Sequence, residues 1–488
     1  MFDTLAEKVP QDKDLPVRAW RLAVMRRVLQ GTLYDVLKQQ FHDERNGSGE
    51  YVPLRQRKPS VRYNLCRIVV RDTVSMLFGD GHFPAIECGN PDQRTQLTAL
   101  LADAKLASVM SDAAYRGSVG SIAVRMRVLE SRLFFDAMDT DYLTPAYKAD
   151  APDTLEKVVE RYKVLGRELA ARGYTIPDEH LDAAWWFQRE WTDSAENWYM
   201  PKRVNDEDKT PPALDEQNTV YHGLGFVPLV WIKNMPGGDG IDGECTFRPA
   251  VETSIEIDYQ LSQAGRGLKY SSDPLLMIRE PAGAEGEMIR SAGNALVVSE
   301  KGDAKLLEID GTASSAVIEY VRFLREVALE SIQGNRSSAD KLAAAQSGRA
   351  LQMLHQSLIW LTDDLRTSYG DNGVLKLARM VAAAAQIFPL KTADGVARKI
   401  APNLPISLRW PAWFHPTELD KREQASTLSD LRESGHISRR TAVSVLADSY
   451  GIDAVDDELA RIIEDEVAAD ARDAARAAQT KAVETPPG

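Results

Sequence analysis

Five leucines, Leu351, Leu354, Leu358, Leu361 and Leu365, recur in alternating three- and four-residue steps, the spacing that draws one apolar stripe along an α-helix. Such a stripe must be covered, so the chain has to present a second apolar surface to it, from another helix or from another subunit. The sequence Tyr369-Gly370-Asp371-Asn372-Gly373 predicts a kink or interruption in this tract, after which helix resumes to about residue 387. A second amphipathic helix is predicted over 316–333. Its face carries Val317, Tyr320, Val321, Leu324, Val327, Ala328 and Ile332, and Ser315 is its cap. At about 1.5 Å per residue it is roughly 27 Å long.

Before that helix, short apolar runs at 274–278, 295–298 and 306–309, separated by glycine-rich turns, predict a small β-rich module of about forty residues. The segment 249–265 is ambiguous. Pro249 suits a first helical position, but Ile255, Ile257, Tyr259 and Leu261 alternate as a strand would; helix is the preferred reading. Towards the N-terminus, the pattern predicts a helix over 15–37 and a loop over 42–50. A helix over 64–78 follows, capped by Asn64 and ended by Gly79, then a strand over 82–88 and a helix from Pro91 to about Ala107. The stretch 121–147 reads as strands, whereas 154–173 reads as helical. Trp185, Trp186, Phe187, Trp191, Trp198 and Tyr199 fit half-buried strands; stacking on nucleic-acid bases is the alternative, and core packing is preferred. The glycine- and proline-rich residues 236–243 look like a domain boundary. Residues 405–410 read as a strand and 416–466 as two or more helices, one capped at Ser438. The tail from Ala468 reads as helix that frays.

At 488 residues the chain is too long for one core and predicts two to four folded units. Its 44% apolar and 27% charged residues fit a globular protein. No stretch approaches the ~20 apolar residues of a membrane span, and the N-terminus lacks signal-peptide layout, so a chain kept in cytosol-like solution is expected. Cys66, Cys88 and Cys245 are too scattered for a disulfide framework or zinc site, and are expected to be reduced and buried. A net charge of −13 argues against a protein that wraps DNA through lysine and arginine, but leaves open one that surrounds DNA without gripping it.

Chemistry-bearing motifs are absent from the sequence: there is no GxxxxGK[ST], HExxH, GxSxG or CxxC. The histidines stand singly. Asp136, Asp139 and Asp141 lack the glycine and distal glutamate of a calcium loop, so a solvated turn is preferred over a metal site. The basic run Arg55, Arg57, Lys58, Arg62, Arg67 and Arg71 could touch phosphate; surface or intersubunit ion pairing is the preferred reading. No catalytic residue, cofactor or metal is expected.

The order of these elements resembles the phage portal protein family, in its siphovirus-like head-to-tail form. The features that carry the resemblance are Asn64-Leu65-Cys66 opening a helix that ends Leu77-Phe78-Gly79, and Gly223-Leu224-Gly225-Phe226-Val227-Pro228 before a Pro/Gly-rich link. To these add the helix, β-module, helix order, Ser347-Gly348-Arg349-Ala350-Leu351 heading the seam, and Trp413-Phe414 with Gly435-His436-Ile437-Ser438 near the end. Together they span about 15–466.

The resemblance implies a mixed α+β, ring-forming, portal-type subunit. Its parts would be an α/β wing with an N-terminal helix (1–245), a helical stem (246–270 and 315–334) and a small β-rich clip (271–314). A tunnel loop (335–343), a long kinked helix (344–388), a wing return strand (389–416), a helical C-terminal crown (417–467) and a flexible charged tail (468–488) would complete it. It implies a twelve-subunit ring at the capsid vertex, assembled in host cytoplasm, that serves genome packaging, head–tail connection and DNA ejection, and it implies no enzyme. The implied partners are copies of the chain itself, double-stranded DNA passing without sequence specificity, the packaging terminase ATPase, and capsid and head-completion or adaptor proteins, with no membrane. Asn335, Arg336, Ser337, Ser338, Asp340 and Lys341 would face DNA, and the five seam leucines would lie between subunits. The competing expectations are another virion structural or scaffolding protein, and a metal-dependent nucleic-acid enzyme using Asp136, Asp139 and Asp141.

Overall fold

The computed structural model describes residues 1–204, 210–272, 275–281, 298–307, 312–333, 352–353, 355–414, 418–450, 452 and 455–483. The chain falls into two compact units, Met1–Asn335 with Trp360–Pro411, and Arg336–Ile359 with Ala412–Gly488. Its strands are β1 (Gln39–Gln40), β2 (Arg57–Lys58), β3 (Ala85–Cys88), β4 (Ser121–Leu129), β5 (Arg132–Asp139), β6 (Leu143–Tyr147), β7 (Leu155–Leu165), β8 (Ala184–Trp191), β9 (Ala195–Trp198), β10 (Lys202–Arg203), β11 (Val220–Tyr221), β12 (Leu229–Lys233), β13 (Leu275–Pro281), β14 (Val298–Leu307) and β15 (Ile406–Arg409). The helices are α1 (Phe2–Ala6), α2 (Val17–Gln30), α3 (Leu65–Phe78), α4 (Pro91–Asp103), α5 (Leu106–Gly117), α6 (Gly166–Ala171), α7 (Val251–Ser272), α8 (Thr312–Ser331), α9 (Gln356–Leu365), α10 (Lys376–Ala384), α11 (Glu418–Glu433), α12 (Arg439–Tyr450) and α13 (Val455–Val483). The expected mix of helix and strand is present.

Local chemistry explains where several helices begin and end. Asn64 accepts from the Arg67 amide at 3.1 Å and caps α3, which stops at Gly79. Asn90 accepts from Asp92 and Gln93, and Pro91 occupies the first turn of α4. That helix ends at Asp103, before the predicted Ala107. Lys105 takes a left-handed φ of 54°, breaks the path, and a helix absent from the sequence reading, α5, starts at Leu106. The first long helix is likewise shorter than 15–37: α2 stops at Gln30, where Gly31 has φ 76°.

In the first unit, β12, β4 and β5 form a three-stranded antiparallel sheet with β4 in the middle, and β11-β9-β8-β7-β6 form a larger one, β10 joining beside β8. The residues read as helical over 154–173 are mainly β7, an antiparallel strand between β6 and β8; only α6 keeps helix. Phe187 and Trp191 of the aromatic run are buried, and Trp185 and Trp198 pack partly buried around the core formed by Val164, Leu169 and Phe187. The main core joins α3, α4 and α5 to the inner face of β4, β5 and β12, with Val124, Ile122, Val230 and Ile232 at its centre. β15 pairs with β3, Ile406 opposite Cys88, which ties the returning chain to the body.

Residues 236–243, read as a boundary, lie inside the first unit. Asp242 is the reason: it accepts from Arg18 Nε and Nη2, each at 2.6 Å, and from Ser121 Oγ at 2.5 Å. Arg18 also donates to the carbonyls of Thr140 and Leu143. One ion pair therefore fastens α2, β4 and the turn together.

The predicted interruption at 369–373 is a π-helical segment, Arg366–Leu375, between α9 and α10. Widening the helix lets Gly370 sit against Trp410 and Gly373 against Met110 and Ile232, while Tyr369 donates to Asn234 at 3.0 Å. In the second unit Ser438 caps α12, accepting from Thr441 N at 3.1 Å.

Candidate functional site: a helix pair carrying a hairpin

The helix α7 is rooted in the body on two sides at once. Val251, Ile255 and Tyr259, four apart, pack with Leu29, Leu33 and Cys66, whereas Ile257 and Leu261 face Leu65, Val69, Ala328, Leu329 and Ile332. Two helical stripes interleaved along one sequence produce the alternation that reads as a strand. Helix, the preferred reading, is what forms. From Gly265 onward to Lys269 the helix is half-buried to exposed.

Polar contacts fix the root. Asp258 is 3% exposed and accepts from Tyr34 Oη at 2.8 Å and from the Tyr63 amide at 2.7 Å. Ser262 accepts from the Val61 amide at 2.9 Å and donates to the Asp258 carbonyl at 2.7 Å. Burial pushes the Asp258 carboxyl up to about 6, against the lowering effect of its bonds from Tyr34 and Tyr63. Cys66 beside them is fully buried and its thiol is pushed up to about 12 by burial, which keeps it an inert thiol. Glu252 accepts from the Phe2 amide and pairs with the chain's amino terminus.

The second helix, α8, begins at Thr312, which puts the expected cap Ser315 inside its first turn. Its last turns return to the root through Ala328, Leu329 and Ile332, so α7 and α8 run antiparallel. Between them, β13 and β14 form an antiparallel hairpin with Leu275 opposite Leu307 and Arg279 opposite Asp303, followed by an irregularity before Pro281. The predicted face of α8 is only half used. Val321 and Leu324 are partly buried, but Tyr320 and Val327 are 45% and 40% exposed, and Phe323, beside that face and not predicted on it, is 58% exposed. At about 1.5 Å per residue the two helices reach roughly 30 Å.

The expected DNA-facing residues Asn335, Arg336, Ser337, Ser338, Asp340 and Lys341 lie outside the described residues, as do Leu351 and Leu354 of the seam. Leu358, Leu361 and Leu365 are 6%, 1% and 3% exposed in the single chain, and Leu365 belongs to the main core with Leu377 and Val381. These three side chains are covered within the single chain. For Leu365 the stripe serves core packing.

The aspartate trio is not a solvated turn. Asp136 and Asp139 lie on β5, and each of the three faces arginine: Asp136 pairs with Arg125 and Arg127, Asp139 with Arg26 and Arg116, and Asp141 with Arg26. Burial raises the Asp141 carboxyl despite Arg26. Among the described residues no cluster of histidine, cysteine, aspartate and glutamate could hold a metal ion, and no helix is long and apolar enough to cross a membrane. Arg57, placed at the surface by the sequence reading, is 1% exposed and donates to the carbonyls of Val52 and Phe41. Arg62 does form a surface pair, with Asp35.

No protein-family model and no curated protein matches this chain.

Proposed function

We propose that the chain is a portal subunit: one member of a ring at a phage capsid vertex, through which double-stranded DNA is packaged and released. The observation that carries the reading is the helix pair. An α/β body sends out α7, which leads to a β-hairpin and returns as α8, and the chain later rejoins the body through β15. Under this reading α7 and α8 are the stem, the β13–β14 hairpin is the clip that meets the packaging ATPase, and the second unit includes the crown. The exposed Tyr320, Phe323 and Val327 of α8 then contact the neighbouring stem, a head-to-tail contact that closes a ring when repeated.

Residues 335–343 follow α8 in sequence and are the segment assigned to the DNA tunnel. With Arg336 and Lys341 against Asp340, they would touch phosphates weakly, which suits a moving polyanion. Capsid, adaptor and head-completion proteins are the remaining partners, and the virion is the location. Negative-stain imaging of the purified chain tests the reading: it predicts closed rings with a central hole, and uniformly single particles without rings would overturn it.

A further inference from the structure

The sheet β12-β4-β5 ends at β12, whose outer edge has no strand beside it among the described residues. Asn234 N donates to Gly120 O, and Pro228 O accepts from Met126 N. With Leu229 opposite Arg125 and Lys233 opposite Ser121, residues 230 and 232 face β4 with their main-chain groups. Leu229, Trp231 and Lys233 therefore turn theirs outward; the Leu229 amide is taken by the Val227 carbonyl at 2.8 Å, which leaves Trp231 and Lys233 for a further strand. An edge of this kind is a template for another strand.

A groove of about 740 Å³ runs along that edge. Both Val230 and Trp231, which lie on opposite faces of β12, line it, so it straddles the strand. One wall is the end of β6 with the turn into β7. The other is the π-helical segment and α10, contributing Ser368, Asn372, Lys376 and Arg379. Lys148, Lys376 and Arg379 make no ion pair among the described residues, and Lys233 Nζ donates to the Gly240 carbonyl at 2.6 Å. The lining acids are Asp153 and Asp193, which leaves the groove cationic. π-helical segments recur at functional sites.

We propose that the open edge of β12 is a docking site for an extended acidic segment of a partner protein. That segment would add a strand beside Leu229–Lys233, its main chain bonding to Trp231 and Lys233 and its carboxylates meeting Lys148, Lys376 and Arg379. Main-chain bonds give such a complex its affinity and the charges its selectivity. Five residues at about 3.4 Å each set the paired length at roughly 17 Å.

The test is fluorescence anisotropy of the full chain with a labelled octapeptide of alternating threonine and glutamate. Saturable binding is expected, weakened about tenfold or more by methylating alternate backbone nitrogens of the peptide and by the K376E/R379E pair. A lysine version of the peptide should bind poorly to the unmodified chain and better to K376E/R379E, while circular dichroism reports that the variant stays folded. Equal binding of the methylated peptide would reduce the contact to charge attraction and overturn the proposal. Absence of saturable binding, or indifference to the charge swap, would overturn it as well.

Discussion

Tyr34 donates its phenol hydrogen to Asp258 across 224 residues of sequence, at 2.8 Å and out of contact with solvent. This bond joins the 3-10 turn after α2 to the root of α7. A carboxyl held there has to ionise where water is excluded. In the folded chain it gives up its proton near pH 6, against an ordinary value of 3.8.

Across that interval the folded state holds more protons than the unfolded state, so the contribution of Asp258 to stability is full below about pH 4. It is lost as pH rises to about 6 and stays flat above. The loss is on the order of 3 kcal/mol. Asp12, Asp215 and Asp239, whose carboxyls are lowered, slope the opposite way, so the comparison must be with Asp258→Asn. Its amide oxygen can accept from Tyr63 and its nitrogen can donate to Tyr34. Urea midpoints of the variant and the unmodified chain, taken from pH 4 to 7, should converge or cross as pH rises. Parallel profiles would count against the buried ionisation.

The Arg18–Asp242 pair has side chains 13% and 11% exposed, so breaking it leaves a charge buried. Arg18→Ala should cost roughly 3–5 kcal/mol, and the double change Arg18→Leu with Asp242→Leu should cost less than that single change. Equilibrium unfolding followed by tryptophan fluorescence measures both. A double variant as unstable as Arg18→Ala would mean that the hydrogen bonds to Thr140 and Leu143, and not the charge, dominate.

A methyl group at Gly370 would lie 2.5 Å from Cζ2 of Trp410, whereas one at Gly373 would meet the flexible ends of Met110 and Ile232 at 2.9 and 3.0 Å. Gly370→Ala is expected to destabilise by roughly 1–3 kcal/mol through that clash. Gly373→Ala should be milder, because the neighbours can turn away and alanine favours helix. Thermal unfolding ranks the two; the reverse order would contradict the packing at the π-helical segment.

How much of this was legible beforehand depended on whether local chemistry or tertiary burial decided each element. Asn64 and Gly79 bound α3 through a cap and a stop that any reader of the sequence can find. Leu155–Leu165 misled because Val158 and Val164 are buried while most of the strand is half-exposed between β6 and β8, so no clean alternation survives. The start of α5 hinges on a positive φ at Lys105, a conformation the residue type does not announce. Arg57 looked like surface charge because its partners are backbone carbonyls, which leave no acidic residue nearby in sequence. The β12 groove was invisible for a related reason: its cations come from widely separated segments.

Tyr320 and Phe323 on α8 are exposed in the single chain, so replacing both with glutamate should leave the unfolding midpoint of the isolated subunit within about 0.5 kcal/mol of the original. Under the portal reading the same change abolishes ring formation by placing charge in the contact between neighbouring stems. Rings that assemble undisturbed would remove this face from the interface.

The most direct test of the portal reading is the mass of the assembled protein by native mass spectrometry over a wide concentration range. A closed ring predicts one dominant species at roughly twelvefold the 54.1 kDa of the chain, unchanged on dilution, because a closed ring buries every subunit's contact surface. A species that stays at the mass of a single chain at every concentration would contradict it.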